Sequence, residues 1–192
     1  QRQMCIRDRP FIRKYTPVSE KEIIGQDDAL DSLKSFIQNF KEEKKNAMLL
    51  YGPPGCGKTS SVYALASSMN LEVIELNASD VRTRDQINSV LGAASQQMSL
   101  FGGSKVILVD EIDGISGRSD YGGLGEIIKL LDKSAFPIII TANNPYDNKF
   151  SKLRRKTEMI QFNELDVDSI LVILKKICDN EGIKYTDDGL KI

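Results

Sequence analysis

The sequence predicts an α/β fold in which helices cover both faces of a parallel β-sheet, giving a three-layer sandwich. Short unbroken runs of Val, Ile and Leu recur along the chain, which is the pattern of strands buried on both faces. Segments of helical period lie between these runs, so strands and helices alternate as they do in βα units. The first apolar run also ends in a glycine-rich loop that leads directly into a helix.

The composition is that of a globular protein with a substantial core. The chain has 192 residues, of which 41% are hydrophobic and 28% charged, with 26 Lys and Arg against 27 Asp and Glu. At about 150 residues per domain, this length allows one full domain and part of another. No stretch approaches the roughly 18 consecutive apolar residues of a membrane span, so none is predicted. With a net charge of −1, any binding to DNA must use a local patch.

The residue types that are absent or scarce exclude several kinds of chemistry. The chain has no His, which excludes an imidazole base, an imidazole nucleophile and a His-ligated zinc site. Its cysteines, Cys5, Cys56 and Cys178, are far apart and odd in number, which argues against a disulfide framework and favours a reducing compartment. No secretory signal is predicted, because no apolar segment follows the first Arg residues. We therefore expect a cytoplasmic protein.

Each element follows from its own local pattern. Residues 27–40 place five apolar side chains on one helical stripe, Leu30, Leu33, Phe36, Ile37 and Phe40, with two acids in the first turn, where the helix dipole favours them. The apolar runs predict strands at 47–51, 71–76, 105–110, 136–142 and 159–162. The other periodic segments predict helices at 58–69, 83–98, 122–133 and 166–182.

The pattern of elements changes near residues 163–166. Residues 1–9 have no periodicity and are expected to be a disordered tail or an artefact. Residues 10–163 carry the alternating strands and helices and form the predicted main domain. Residues 164–192 are helical only and too few to enclose a core of their own. We expect them to begin a second, helical domain of a longer protein.

A phosphate-binding loop follows the first predicted strand. Residues 52–59, GPPGCGKT, match G-x-x-x-x-G-K-[ST] between a strand and a helix, the context that this motif requires. Its glycines let successive N–H groups point at phosphate oxygens, Lys58 places a charge on the β- and γ-phosphates, and Thr59 offers a hydroxyl to Mg²⁺. The predicted nucleotide-binding residues of this segment are Gly52, Pro53, Pro54, Gly55, Cys56, Gly57, Lys58, Thr59 and Ser60. The alternative is a glycine-rich turn with a solvated lysine.

Two carboxylates follow the strand predicted at 105–110. Asp110 is expected to hold Mg²⁺, usually through water, and Glu111 to polarise the water that attacks the γ-phosphate. Two acids are needed because one is committed to the metal while the other stays free to accept a proton. Asp113 is expected to cap or pair with the segment that follows it, without a catalytic role.

Asn143 ends the next strand along the chain and brings an amide to the same edge of the sheet. Such an amide can orient the attacking water or sense the γ-phosphate without adding charge. The predicted catalytic residues are therefore Glu111, Lys58 and Asn143. The alternative is an Asn that breaks the strand before the turn at Asn144-Pro145, a role that fits Asn144 better.

Six segments, taken in their order and spacing, resemble the AAA+ ATPases, and more narrowly the large subunits of archaeal-type replication factor C. They are KYTP at 14–17, IIGQ at 23–26, GPPGCGKTS at 52–60, ELNASDVR at 75–82, LVDEIDGISGR at 108–118 and TANNPYD at 141–147. The match covers residues 13–192. Small clamp-loader subunits typically carry Ala-Asp in the acidic box and a later Ser-Arg-Cys arginine-finger motif. This chain has Asp113-Gly114 and, at 153–157, LRRKT, which favours the large subunit.

The resemblance implies a P-loop NTPase fold of the AAA+ class, followed by the start of a helical lid, and a clamp-loading activity. In this family ATP binding lets one large and several small subunits open a ring-shaped sliding clamp and grip primer–template DNA, and hydrolysis releases the closed clamp. The missing arginine-finger motif implies that a neighbouring subunit supplies a transition-state charge in trans. The resemblance also places Tyr15 and Ile24 beside the adenine and implies a nucleoid-associated location.

Two groups of residues are candidate contacts for the other components. Arg82 and Arg84 open a predicted helix, where cations are unfavourable against the dipole unless a phosphate lies nearby, and the resemblance implies that this helix follows the DNA backbone. Met98, Leu100 and Phe101 precede a Gly pair and are similar to the short peptides that bind sliding clamps, so we expect a clamp contact. The alternatives are a solvated surface for the arginines and core packing for the apolar residues.

Other functions stay open on the sequence alone. The basic run at 152–156 is either a contact for DNA or another subunit, or a solvated connection. The nearest alternative function is another DNA-processing AAA+ ATPase, of the branch-migration helicase type. A P-loop small-molecule kinase and a nucleotide-holding scaffold with negligible turnover are both disfavoured, because Glu111 provides a carboxylate that can activate water.

Overall fold

The described strands form one parallel sheet. The structure, a computed structural model, describes residues 11–78, 87, 104–115 and 123–190. The strands in these ranges are β1 Ala47–Tyr51, β2 Glu72–Asn77, β3 Lys105–Asp110, β4 Ile138–Ala142 and β5 Glu158–Gln161. Their order across the sheet is β2-β3-β4-β1-β5, and every neighbouring pair is parallel. The predicted parallel α/β fold is confirmed.

The described helices begin and end within two residues of the predicted bounds wherever a helix was predicted. They are α1 Phe11–Lys14, α2 Asp27–Asn39, α3 Lys58–Ser68, α4 Gly123–Leu131, α5 Ser151–Lys156, α6 Val167–Glu181 and α7 Asp187–Leu190. Single 3₁₀ turns lie at Glu20–Glu22, Ile112–Gly114 and Asn148–Phe150. The helix predicted at 83–98 lies outside the described residues, apart from Ile87, which is fully buried. None of the described helices is long and apolar enough to cross a bilayer.

The basic run at 152–156 forms part of a helix, α5, which the sequence did not predict. Its apolar anchors are Phe150, just before the helix, and Leu153 within it, both essentially inaccessible to solvent. They belong to the core cluster that lies between α4 and the sheet. Two isolated buried residues give too short a period to indicate a helix from sequence, since helix prediction needs several turns of repeat.

The sheet buries side chains on both faces. In β1, Ala47 and Leu49 belong to the core cluster shared with α4, whereas Met48 and Leu50 belong to the cluster shared with α2 and α3. All four side chains are fully buried. Because side chains alternate along a strand, a strand with helices above and below it must be apolar at every position. This explains the unbroken apolar runs of the sequence.

The parallel arrangement brings three loops together at one edge of the sheet. The segments that follow β1, β3 and β4 all leave the carboxyl ends of adjacent strands. In open α/β sheets, this is the edge where ligands bind. Strand β4 begins at Ile138, two residues later than predicted, because Pro137 has no N–H to donate to a neighbour.

Candidate functional site

The loop of residues 52–57 wraps around the first turn of α3. A Cβ on Gly52 would lie 2.1 Å from the carbonyl oxygen of Phe162, so only glycine allows this approach. Gly57, with φ +99°, turns the chain into the helix immediately before Lys58. The free N–H groups and the dipole of this 11-residue helix therefore face the loop, which is the arrangement that favours a bound phosphate.

The Lys58 side chain turns back into this loop and links it to the end of β4. Its Nζ donates to the carbonyl oxygens of Gly52 and Pro53, both at 2.8 Å, and to Oδ1 of Asn143 at 3.1 Å. Only 8% of the residue is exposed, and the three oxygen acceptors compensate the burial of its charge. The structure thus brings together two residues that the sequence analysis proposed independently, Lys58 and Asn143.

The predicted metal-binding pair is in direct contact, and a residue that the sequence analysis did not predict holds it in place. Thr59 Oγ1 donates to Asp110 Oδ1 at 2.7 Å. Thr141 Oγ1 donates to the same carboxylate oxygen at 2.6 Å and accepts the backbone N–H of Glu111 at 2.9 Å. Glu111 has a left-handed backbone, with φ +52°, which is unusual for a residue other than glycine. Thr141 therefore fixes both carboxylate residues at the end of β3.

Asp113 contacts the end of β4. Its carboxylate accepts the backbone N–H groups of Asn143 and, at 3.3 Å, Asn144, whereas most of the segment that it was predicted to cap or pair with lies outside the described residues. This contact joins the 3₁₀ turn after β3 to the end of β4 and positions Asn143. Asn144 forms the predicted turn, since its Oδ1 accepts the N–H of Tyr146 at 3.0 Å.

A polar chamber of about 230 Å³ lies between the phosphate loop and the ends of β3 and β4. Its walls include Lys58, Thr59, Glu111, Thr141 and Asn143. Asp110 lies behind Thr59, with 8% of the residue exposed. These five side chains therefore combine a cation, two hydroxyls, a carboxylate and an amide around a space open to a ligand.

A second chamber, of about 200 Å³, lies on the other side of the same loop and is mostly apolar. Tyr15 and Ile24, the predicted adenine contacts, both line it. Leu165, Ile173 and Ile177 complete its wall from α6 and the segment before it. The sequence analysis missed these three because the apolar stripe of α6 alone does not reveal which element it faces.

The two chambers are adjacent, because Gly55, Gly57 and Ser60 line both of them. A flat apolar group in one chamber and a chain of charged groups in the other would lie across the N-terminus of α3. A nucleotide has this division, with an aromatic base at one end and phosphates at the other.

Polar contacts at the rim of the apolar chamber connect the two ends of the described chain. The hydroxyl of Tyr15 donates to Glu181 Oε1 at 2.7 Å, and the ammonium of Lys14 pairs with the same carboxylate. The hydrogen bond from Lys14 lowers the pKa of Glu181, and burial raises the pKa of Tyr15. Tyr15 is thus held against the C-terminal end of α6.

Comparison with known protein families agrees with this geometry. The family described as "ATPase family associated with various cellular activities (AAA)" matches residues 48–165, more than half of the chain. The chain belongs to the AAA ATPase family. The matched range of this AAA chain includes the phosphate loop, both carboxylates and Asn143.

Curated relatives of this AAA chain include three archaeal proteins, each named replication factor C large subunit. The Nanoarchaeum equitans protein is 46% identical over 182 residues, the Thermofilum pendens protein 43% over 184 and the Staphylothermus marinus protein 41% over 184. These alignments cover 94%, 94% and 95% of this chain, but only 42%, 45% and 44% of the relatives. The chain thus spans less than half the length of the curated relatives it matches. The predicted resemblance to archaeal large subunits is confirmed.

A solved structure shows the same fold at low identity. A RuvB mutant from Thermotoga maritima superimposes with a TM-score of 0.69 over 92% of this chain and 58% of its own, at 19% identity. At this level of identity the likeness establishes the AAA+ fold and nothing about substrate.

Not every predicted residue of the AAA site lines a chamber. Gly52 and Pro53 lie behind Lys58 and contribute carbonyl oxygens to its ammonium. The guanidinium of Arg154 is bound within the chain, because its Nη1 donates to the carbonyl oxygens of Pro145 and Asp147. The predicted DNA contacts Arg82 and Arg84 lie outside the described residues. So do the predicted clamp contacts Met98, Leu100 and Phe101.

Proposed function

We propose that this chain is the ATP-binding and hydrolysing part of a clamp-loader large subunit, which loads a sliding clamp onto primer–template DNA. The observation that carries the proposal is the polar chamber, in which Lys58, Thr59, Glu111 and Asn143 surround one space at the N-terminus of α3. The names of the archaeal relatives support the clamp-loading part of the proposal.

In this proposal ATP occupies both chambers. The adenine lies in the apolar chamber with Tyr15 and Ile24, and the triphosphate crosses the loop of residues 52–60 into the polar chamber. Lys58 exchanges its present acceptors for β- and γ-phosphate oxygens, which match its charge better than carbonyl groups do. The apolar chamber thus offers apolar contact to the base, and the polar chamber offers positive charge to the phosphates.

The residues beside Lys58 fit a magnesium ion. Thr59 and Asp110 offer a hydroxyl and a carboxylate at one point, and Mg²⁺ prefers oxygen ligands of this kind, completed by phosphates and water. A bound Mg²⁺ would neutralise charge on the phosphates during transfer. Thr59 and Asp110 would hold it, and Thr141 would keep the Asp110 carboxylate turned toward it.

The remaining catalytic roles belong to Glu111 and Asn143. Glu111 accepts a proton from the attacking water, and Asn143, whose backbone N–H is held by Asp113, orients that water or the γ-phosphate. The chamber has one described cation, Lys58, and Arg154 is bound to its own chain. A further positive charge for the transition state would come in trans from a neighbouring subunit.

The wider assembly follows from the same proposal. Small clamp-loader subunits, the sliding clamp and primer–template DNA are the proposed partners. Arg82 and Arg84 are proposed to contact the DNA backbone, and Met98, Leu100 and Phe101 the clamp. Residues 10–163 form the proposed ATPase domain, and 164–192 begin the proposed helical lid, in which Leu171 is the one buried residue of α6.

The proposal is tested by phosphate release from the protein alone and with small subunits, clamp and primed DNA. We expect slow release alone and stimulation only by the assembled set. Stimulation by branched DNA without a clamp would instead favour a branch-migration motor, and transfer of phosphate to a small acceptor would favour a kinase.

Replacement of Glu111 by Gln tests the catalytic centre. We expect Glu111→Gln to lower phosphate release by about 10²–10⁴-fold, because the amide cannot accept the proton from water. ATP affinity, measured by equilibrium titration, should change little, since the amide keeps the size of the carboxylate. Glu158→Gln, the same change at an exposed position of β5, is the matched control. Unchanged turnover in Glu111→Gln would exclude Glu111 as the base.

A further inference from the structure

Gln26 is a buried polar residue that lines neither chamber. Only 4% of the residue is exposed. It lies just before α2, yet its side chain makes no capping bond to that helix. A buried amide without hydrogen-bond partners would lower the stability of the fold. The partners of the Gln26 amide therefore indicate its role.

The Gln26 amide joins the phosphate loop to the segment that leads into α6. Its Nε2 donates to the carbonyl oxygen of Cys56 at 3.2 Å and to that of Asn163 at 2.7 Å. Its Oε1 accepts the N–H of Asn163 at 3.2 Å. Both donor hydrogens and one acceptor are therefore used, and all of these bonds go to backbone groups of two other segments.

The two segments belong to the two parts of the nucleotide site. Cys56 lies between Gly55 and Gly57, the residues common to both chambers. Asn163 lies in the connection from β5 to α6, the helix that contributes Ile173 and Ile177 to the apolar chamber. A displacement of the loop at Cys56 would thus pull on the Gln26 amide and shift Asn163 in this connection.

The residue before Gln26 packs directly against the same helix. Gly25 has φ +75°, and a Cβ there would lie 3.1 Å from Ser169 Oγ and 3.3 Å from Leu165 Cδ2. Ser169 lies in the first turn of α6, where its backbone N–H donates to the side chain of Asp166, the N-cap of the helix. The turn at residues 25–26 therefore contacts the first turn of α6 on one side and the phosphate loop on the other.

We propose that Gln26 is a positioning residue that couples the state of the phosphate loop to the placement of α6. Nucleotide binding moves or stiffens the backbone at Cys56, and the Gln26 amide transmits this change to Asn163 and the start of the helix. The inference rests on the proposed nucleotide site, but it concerns a residue that touches no nucleotide chamber.

Hydrogen–deuterium exchange with and without ATP and Mg²⁺ tests this coupling. In the wild-type protein we expect ATP to slow exchange in residues 54–60 and, by about tenfold, in residues 163–170. In Gln26→Met, which keeps the side-chain length without hydrogen bonds, ATP should still protect 54–60, but the protection of 163–170 should be lost. Gln38→Met, the same change at an exposed position of α2, should behave as the wild type.

The outcomes separate this inference from the proposed function. No ATP-dependent protection of 54–60 in the wild type would contradict nucleotide binding itself. Protection of 54–60 without protection of 163–170 in the wild type, or equal protection of both in Gln26→Met, would overturn the coupling alone. If Gln26→Met does not fold, Gln26→Glu, which keeps the acceptor and loses both donors, takes its place. If neither folds, the absence of ATP-dependent protection of residues 163–170 in the wild type still overturns the coupling.

Discussion

At the scale of single residues, the ends of β3 and β4 depend on one hydroxyl. Thr141 is 1% exposed and donates to Asp110 while it accepts the N–H of Glu111. The left-handed backbone of Glu111 costs about 1–3 kcal/mol, so neighbouring contacts must hold it. We therefore consider Thr141 the positioning residue for both carboxylates.

Replacement of Thr141 by Val removes the hydroxyl at nearly constant volume. We expect Thr141→Val to lower the free energy of unfolding by about 1–3 kcal/mol, because Asp110 loses a buried donor. ATP turnover should fall by about 10–100-fold, as for other residues that orient metal ligands. Thr141→Ser should restore turnover. Steady-state kinetics over a range of Mg²⁺ concentrations measures the effect.

The control for this substitution is Thr157→Val. Thr157 is also 1% exposed, and its hydroxyl donates to the carbonyl oxygen of Leu153, far from the phosphate loop along the chain. The Thr157→Val variant should lose a comparable amount of stability, but the Mg²⁺ dependence of its ATP turnover should not change. The same Mg²⁺ dependence in both variants would show that Thr141 acts only through stability.

At the scale of elements, β1 and its loop are held from both sides. β1 pairs with β4 and with β5, and the N–H of Phe162 donates to Tyr51 at 2.7 Å directly before the loop begins. The carbonyl of Phe162 then lies against Gly52. The loop can curl around α3 only because the residue at its first position has no side chain.

Substitution of Gly52 tests this close approach. We expect Gly52→Ala to lower the free energy of unfolding by about 3 kcal/mol, since its Cβ would meet backbone that cannot move aside as a side chain can. Gly125→Ala, in α4 with no atom within 4 Å of the new methyl group, should instead stabilise the protein by about 0.5–1 kcal/mol. Urea denaturation measures both. Equal stability of the two variants would contradict the packing at Gly52.

At the scale of the whole molecule, the first described helix is tied to the C-terminal end of α6. Lys14 and Tyr15 share the Glu181 carboxylate, and both Tyr15 and α6 line the apolar chamber. The proposed base pocket is thus formed by segments that are distant in sequence. We expect its shape to depend on the contacts between these segments.

The Glu181 contact has a defined pH dependence. Because the hydrogen bond from Lys14 lowers the pKa of Glu181, this contact stabilises the folded state at pH values above the pKa of the carboxyl in the unfolded chain, about 4.3. This stabilisation is lost as the pH falls through the lowered pKa. Glu181→Gln should therefore melt slightly below the wild type at pH 7 and together with it near pH 2. Thermal unfolding followed by circular dichroism tests this, with exposed Glu42→Gln as the control. A difference that persists at pH 2 would contradict the assignment.

The sequence by itself determined the fold class and the central part of the site. Apolar runs such as 47–51 predict buried parallel strands, because a strand covered on both faces is apolar at every position. The motif at 52–59 and the acids at 110–111 predict the phosphate end of the candidate site, since each is a contiguous pattern at a strand end. Local chemistry of this kind is encoded in neighbouring residues.

Only the tertiary structure decided which distant residues complete the site. Thr141 is hydrogen-bonded to Asp110, 31 positions away in the sequence, and Gln26 to Asn163, 137 positions away. Ile173 and Ile177 become chamber walls only when α6 lies beside the phosphate loop. The physical reason is that a hydroxyl, an amide or an isoleucine looks the same in sequence whether it faces solvent, core or ligand, and its role is set by the partner that folding brings to it.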